Sequence, residues 1–68
     1  MEMKSFVVLY RIESIMSPLD SPFGMKVSAD NAGHAEEQCV NNYPDADVVW
    51  VFEGDNYLEA VDDFYSGV

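Results

Sequence analysis

Apolar positions along this chain recur with two different periods, and the change of period marks out its elements. From Ser5 to Ile12 they alternate on both sides of an extended chain, with Phe6, Val8, Tyr10 and Ile12 on one side and Val7 and Leu9 on the other. A segment apolar on both faces predicts a strand at the centre of a sheet. Ser14 to Pro22 (SIMSPLDSP) holds two prolines and three serines and reads as a loop. Phe23 then opens a clean alternation, with Phe23, Met25, Val27 and Ala29 on one side and Gly24, Lys26 and Ser28 on the other. That pattern predicts a half-buried second strand, antiparallel to the first.

The period lengthens after Ala29. Asp30 or Asn31 supplies a helix cap. Ala32, Ala35, Cys39 and Tyr43, with Val40 beside Cys39, form one apolar stripe. Glu37, Gln38, Asn41 and Asn42 lie mostly off that stripe. Glu36 and Glu37 are expected near enough to the helix start to interact favourably with its dipole. Tyr43 precedes Pro44 and so ends the helix. Val48 to Phe52 (VVWVF) predicts a third strand, with Val48, Trp50 and Phe52 on one side and Val49 and Val51 on the other. Glu53-Gly54-Asp55 reads as a turn. Asn56 with Glu59 three residues on has the spacing of a capping box, predicting a short helix from Asn56 to about Tyr65. Leu58, Val61, Phe64 and Tyr65 make its stripe, and Ser66, Gly67 and Val68 are expected to fray.

The order β-β-α-β-α constrains the topology. A right-handed crossover through the first helix makes the third strand parallel to the second. With the first strand between them, residues 1–68 form a single α+β domain around a three-stranded antiparallel sheet in the order 2-1-3. The main helix is expected over the face bearing Phe6, Val8, Tyr10, Phe23, Met25, Val27, Trp50 and Phe52. The opposite face then presents Val7, Leu9, Val49 and Val51, with Arg11 and Lys26 nearby. Such an apolar centre needs a cover. The C-terminal helix is favoured for it over a second copy of the chain.

Charge narrows the function. Thirteen acids against three bases leave a net charge of −10. All three bases, Lys4, Arg11 and Lys26, lie in the first 26 residues, where Glu2, Glu13 and Asp20 balance them. From Val27 onward there are ten acids and no lysine or arginine. That field repels nucleic acid and anionic membranes and attracts basic surfaces. It also aids solubility, whatever else it does. With 49% apolar residues the chain has material for a core, and no apolar run is long enough to span a bilayer. The start, MEMKSFVVLYRIE, lacks the basic lead and small-residue cleavage site of a signal peptide. A single cysteine, Cys39, fits a reducing compartment and the role of a small buried hydrophobe.

Candidate chemistry is thin. His34 is the only histidine, and neither Glu36 nor Glu37 has the i, i+4 spacing that would set it beside that ring. Asp45 and Asp47 are two apart but lack the rest of a calcium loop. Glu59, Asp62 and Asp63 read as a solvated helix face. No nucleophile–base spacing is legible, so the expectation is a protein that is not an enzyme and holds no metal or cofactor.

FVVLYRIE, then SADNAGHAEEQCVNNYP, then DVVWV, resembles short acidic phage-encoded accessory proteins of β-β-α-β layout. Among them are small anti-CRISPR proteins and a small phage inhibitor of host RNA polymerase. In that layout a strand ending in an Ala-acid-polar run leads into an Ala-rich helix and then a valine-rich strand. Ala29-Asp30-Asn31-Ala32, Ala35-Glu36-Glu37 and Val48-Val49-Trp50-Val51 match it, over about Phe6 to Glu53. The second helix, after Gly54, lies outside it. The resemblance implies binding and inhibition of a host nucleic-acid machine in the bacterial cytoplasm, without catalysis. Joined to the charge, it leads to an expected partner: the basic surface of a bacterial nucleic-acid-binding protein, occupied as a nucleic-acid mimic would occupy it. A CRISPR effector complex comes first, RNA polymerase second and DNA-processing nucleases third. The expected contact residues are Glu36, Glu37, Asp45, Asp47, Glu53, Asp55, Glu59, Asp62 and Asp63. The alternative is a homodimeric accessory protein that works through the second sheet face.

Overall fold

The computed structural model describes residues 3–12, 14 and 21–67. Over them run β1 (Lys4–Arg11), β2 (Phe23–Ala29), α1 (Ala32–Asn42), β3 (Asp47–Glu53) and α2 (Tyr57–Ser66). The sheet is antiparallel in the order β2-β1-β3, an α+β layout with the doubly apolar strand in the middle. β1 earns that place by burying five consecutive residues, Phe6 to Tyr10. The expected loop from Ser14 to Pro22 falls mostly outside the described residues, as does Val68.

Two apolar layers sandwich the sheet. Phe6, Val8 and Tyr10 join Ala29, Ala35 and Cys39 under α1, flanked by Met25, Val27, Ala46, Val48 and Val51. Val7 and Leu9 join Ala60 under α2, flanked by Val49, Trp50, Phe52, Val61 and Phe64. The second face of the sheet is therefore covered by α2. Strict alternation along β3 is not obeyed: Trp50 and Phe52 lie on the α2 side and Val51 on the α1 side, the reverse of the expected assignment. The cause is a break in register. Leu9 pairs with Trp50 but Tyr10 pairs with Val48, so Val49 is an extra residue. One inserted residue exchanges the faces of everything beyond it.

The helices are capped as their sequences propose. The Asn31 side chain accepts the His34 N–H at 2.9 Å, and the Asn56 side chain accepts the Glu59 N–H at 3.2 Å. On α1 only Ala35 and Cys39 are buried. Ala32, Val40 and Tyr43, expected on the stripe, are exposed. Tyr43 has already left the helix as its C-cap, and there its ring stacks on Tyr10 with centroids 5.4 Å apart. Gln38 is drawn in toward the sheet, donating to the Ser28 carbonyl at 2.8 Å. Glu36 and Glu37 stand in the second turn, and the first turn holds no acid. The dipole effect fades within one turn, so the expected stabilisation by these two carboxylates is not supplied.

Six of the ten residues of α2 are apolar or aromatic, more than one buried face accommodates. Ala60, Val61 and Phe64 face the sheet. Leu58 and Tyr65, expected in that stripe, remain 73% and 52% exposed. The helix crosses the strands. Tyr57 covers Gly24 of β2, Ala60 meets Leu9 of β1, and Phe64 packs edge-on against Trp50 of β3 at 5.7 Å. Gly24, Leu9 and Trp50 form one row of the sheet by register. Ser66 does not fray: it closes the helix, and the Gly67 N–H donates to the Asp63 carbonyl at 3.0 Å. Gly54, at φ +151°, makes the turn into α2 in a backbone region that favours glycine.

Candidate functional site

The nine carboxylates singled out from sequence are all exposed. The fold does not gather them on one face. Glu36 and Glu37 ride on α1, above one side of the sheet, and Glu59, Asp62 and Asp63 on α2, above the other. Asp45 and Asp47 stand at the start of β3, Glu53 and Asp55 at its end. β3 thus joins the two acidic layers. The bases lie on the other strands, Lys4 and Arg11 on β1 and Lys26 on β2.

Two of the nine are already engaged within the chain. The Lys4 Nζ lies 3.3 Å from a Glu53 carboxylate oxygen, in a pair whose side chains are 60% and 62% exposed. A pair so open to water contributes little to stability. Asp63 accepts a hydrogen bond from the Trp50 indole Nε1 at 2.9 Å, which ties α2 to β3. The carboxylates without such an engagement are Glu36, Glu37, Asp45, Asp47, Asp55, Glu59 and Asp62.

Sequence reasoning missed the two apolar residues that stand among these acids. Leu58 and Tyr65 are seven apart on α2 and share one side of it, with Asp62 between them in sequence. Large apolar side chains beside carboxylates are what converts an acidic surface into a docking surface, because they add burial to long-range attraction. The available signal was the count of apolar residues in α2, which exceeds what a single stripe buries.

His34 has an acidic partner that precedes the helix. Its Nδ1 meets the Asp30 carboxylate four residues back. That hydrogen bond raises the His34 pKa above its ordinary 6.5 and lowers that of Asp30 below its ordinary 3.8. Cys39 is fully buried, and burial pushes its thiol pKa up, which suits an inert core residue and not a nucleophile. Among the described residues no three histidine, cysteine or acidic side chains converge as a metal site would require. No helix in them is long and apolar enough to cross a membrane.

No protein-family model matches this chain, and it matches no curated protein and no solved structure.

Proposed function

We propose that this is a small acidic, phage-type binding protein that occupies a basic nucleic-acid-binding surface on a bacterial protein and thereby inhibits it. A CRISPR effector complex is the first choice of target and host RNA polymerase the second. The observation that carries this reading is the run of ten acids and no lysine or arginine after Lys26, with the nine candidate carboxylates exposed on both helices and both ends of β3. Such a surface competes with phosphates for the same lysines and arginines. The homodimer reading loses its motive, because the face it relied on is occupied by Ala60, Val61 and Phe64 of α2.

The test compares wild type with two charge reversals, Glu36→Lys/Glu37→Lys on α1 and Glu59→Lys/Asp62→Lys on α2. Asp63 is left out because its carboxylate holds Trp50. Target-DNA binding by a purified CRISPR effector complex, and promoter binding by RNA polymerase, are measured as the protein is added. The expected result is loss of DNA binding by one of them, weakened about tenfold or more by at least one reversal and by raised salt. Inhibition that ignores both reversals and salt contradicts the electrostatic mechanism. No effect on either machine refutes both named targets.

A further inference from the structure

The two edges of the sheet differ. β2 has Lys26 at its middle, a charge of the kind that blunts an edge against pairing. β3 has the uncharged run Val48 to Phe52; its bulge lies at Val49, and from Trp50 to Glu53 its pairing is regular. Among the described residues no strand pairs with the outer side of β3. The phase of its backbone follows from one bond, the Gly54 N–H to the Ser5 carbonyl at 2.9 Å. Bonded and non-bonded pairs alternate along an antiparallel ladder. Phe52 opposite Val7 and Trp50 opposite Leu9 are therefore bonded pairs, and the N–H and C=O of Val51 and Glu53 point outward.

Each end of this edge also carries two exposed carboxylates. At the start stand Asp45 and Asp47, with Arg11 of β1 in backbone register with Asp47. At the finish, Glu53 and Asp55 meet one base, Lys4. The seven residues of β3 span about 23 Å, a length that a short extended segment covers.

We propose that the outer edge of β3 is where the basic partner docks, by adding an extended segment whose lysines or arginines bracket an apolar run. This rests on the reading above that the partner is basic. Backbone hydrogen bonds from Val51 and Glu53 hold the segment, and the acid pairs at the two ends select its charge. A second copy is a poor occupant, because antiparallel pairing of β3 with itself sets Asp47 of one copy toward Glu53 of the other at both ends.

The full chain is titrated, with amide NMR, against two synthetic peptides of about nine residues. Each alternates valine and threonine, one ending in lysine at both termini and the other in glutamate. The lysine peptide is expected to shift the Val51 and Glu53 amides, to slow their exchange, and to bind at least about tenfold tighter than the glutamate peptide at low salt. Glu53→Pro removes an outward N–H at the end of an edge strand, where proline is tolerated, and is expected to abolish the effect. Asp45→Asn/Asp55→Asn leaves the backbone untouched and is expected to erase the preference for lysine, which keeps the test decisive if the proline variant does not fold. Shifts centred on β2 or α2, equal binding of both peptides, no binding, or a dimer that protects Val51 overturns the proposal. If the Glu36/Glu37 reversal still relieves inhibition while the β3 amides never respond, edge docking fails and the acidic-inhibitor reading stands.

Discussion

Gly24 is the position where a single atom decides whether α2 can sit down. A Cβ built there would come within 2.2 Å of the Tyr57 ring, and the Tyr57 hydroxyl donates to the Pro22 carbonyl at 2.6 Å. Gly24→Ala is expected to lower stability by about 1–3 kcal/mol through forced displacement of that ring, and Tyr57→Phe by about 1 kcal/mol through the lost hydrogen bond. Denaturant midpoints that do not move would show that this contact holds nothing. The Asp30–His34 pair makes a second residue-scale prediction. The His34 pKa is raised, so its contribution is full below the unfolded value of 6.5 and fades as pH rises through the folded one. The Asp30 pKa is lowered, so its contribution is full above 3.8 and fades as pH falls through the folded one. The pair therefore stabilises most between those two values. The His34 titration followed by NMR should have its midpoint above 6.5 and return toward it in Asp30→Asn; a wild-type midpoint at or below 6.5 contradicts the pairing. The i, i+4 spacing of Asp30 and His34 was legible in the sequence.

At the scale of elements, periodicity located the helices and strands closely but misassigned side chains where the chain departs from ideal geometry. The bulge at Val49 exchanged the faces of Trp50, Val51 and Phe52. No local pattern in VVWVF announces it, since every residue there is apolar and either phase looks equally good. In α2 a broad apolar surface hid which side packs. Ala60, a small residue outside the expected stripe, is the one that is fully buried, in the cluster with Val7 and Leu9. Ala60→Glu is expected to detach α2, since an unpaired carboxylate there would be buried against apolar neighbours at a cost of several kcal/mol. Binding of a hydrophobic dye and concentration-dependent association in sedimentation would report the uncovered Val7/Leu9 face. A compact monomer that binds no dye would mean that α2 is not what covers that face.

For the whole molecule, the fold turns a one-dimensional charge asymmetry into a spatial one. The base-free half of the sequence becomes both helices and β3, so acid faces outward from both layers and from one edge, while the three bases stay on β1 and β2. This layout supports two distinguishable modes of binding. In the proposed complex, long-range attraction by Glu36, Glu37, Glu59 and Asp62 would govern encounter and its salt dependence. Contact at Leu58 and Tyr65, or along the β3 edge, would govern how long that complex lasts. The charge reversals and the peptide titration separate the two.

Sequence alone determined the α+β class, the central place of β1, the Asn56 cap of α2 and the acidic character of the surface, and narrowed the α1 cap to Asp30 or Asn31. Each of these rests on local chemistry: period, capping side chains, and the sign of ionised groups. Only the tertiary structure decided which side of β3 carries Trp50, which side of α2 is left open at Leu58 and Tyr65, and which carboxylates are already engaged by Lys4 and Trp50. Those outcomes depend on register and on packing between segments far apart in the chain, where one inserted residue or one missing Cβ outweighs any local pattern.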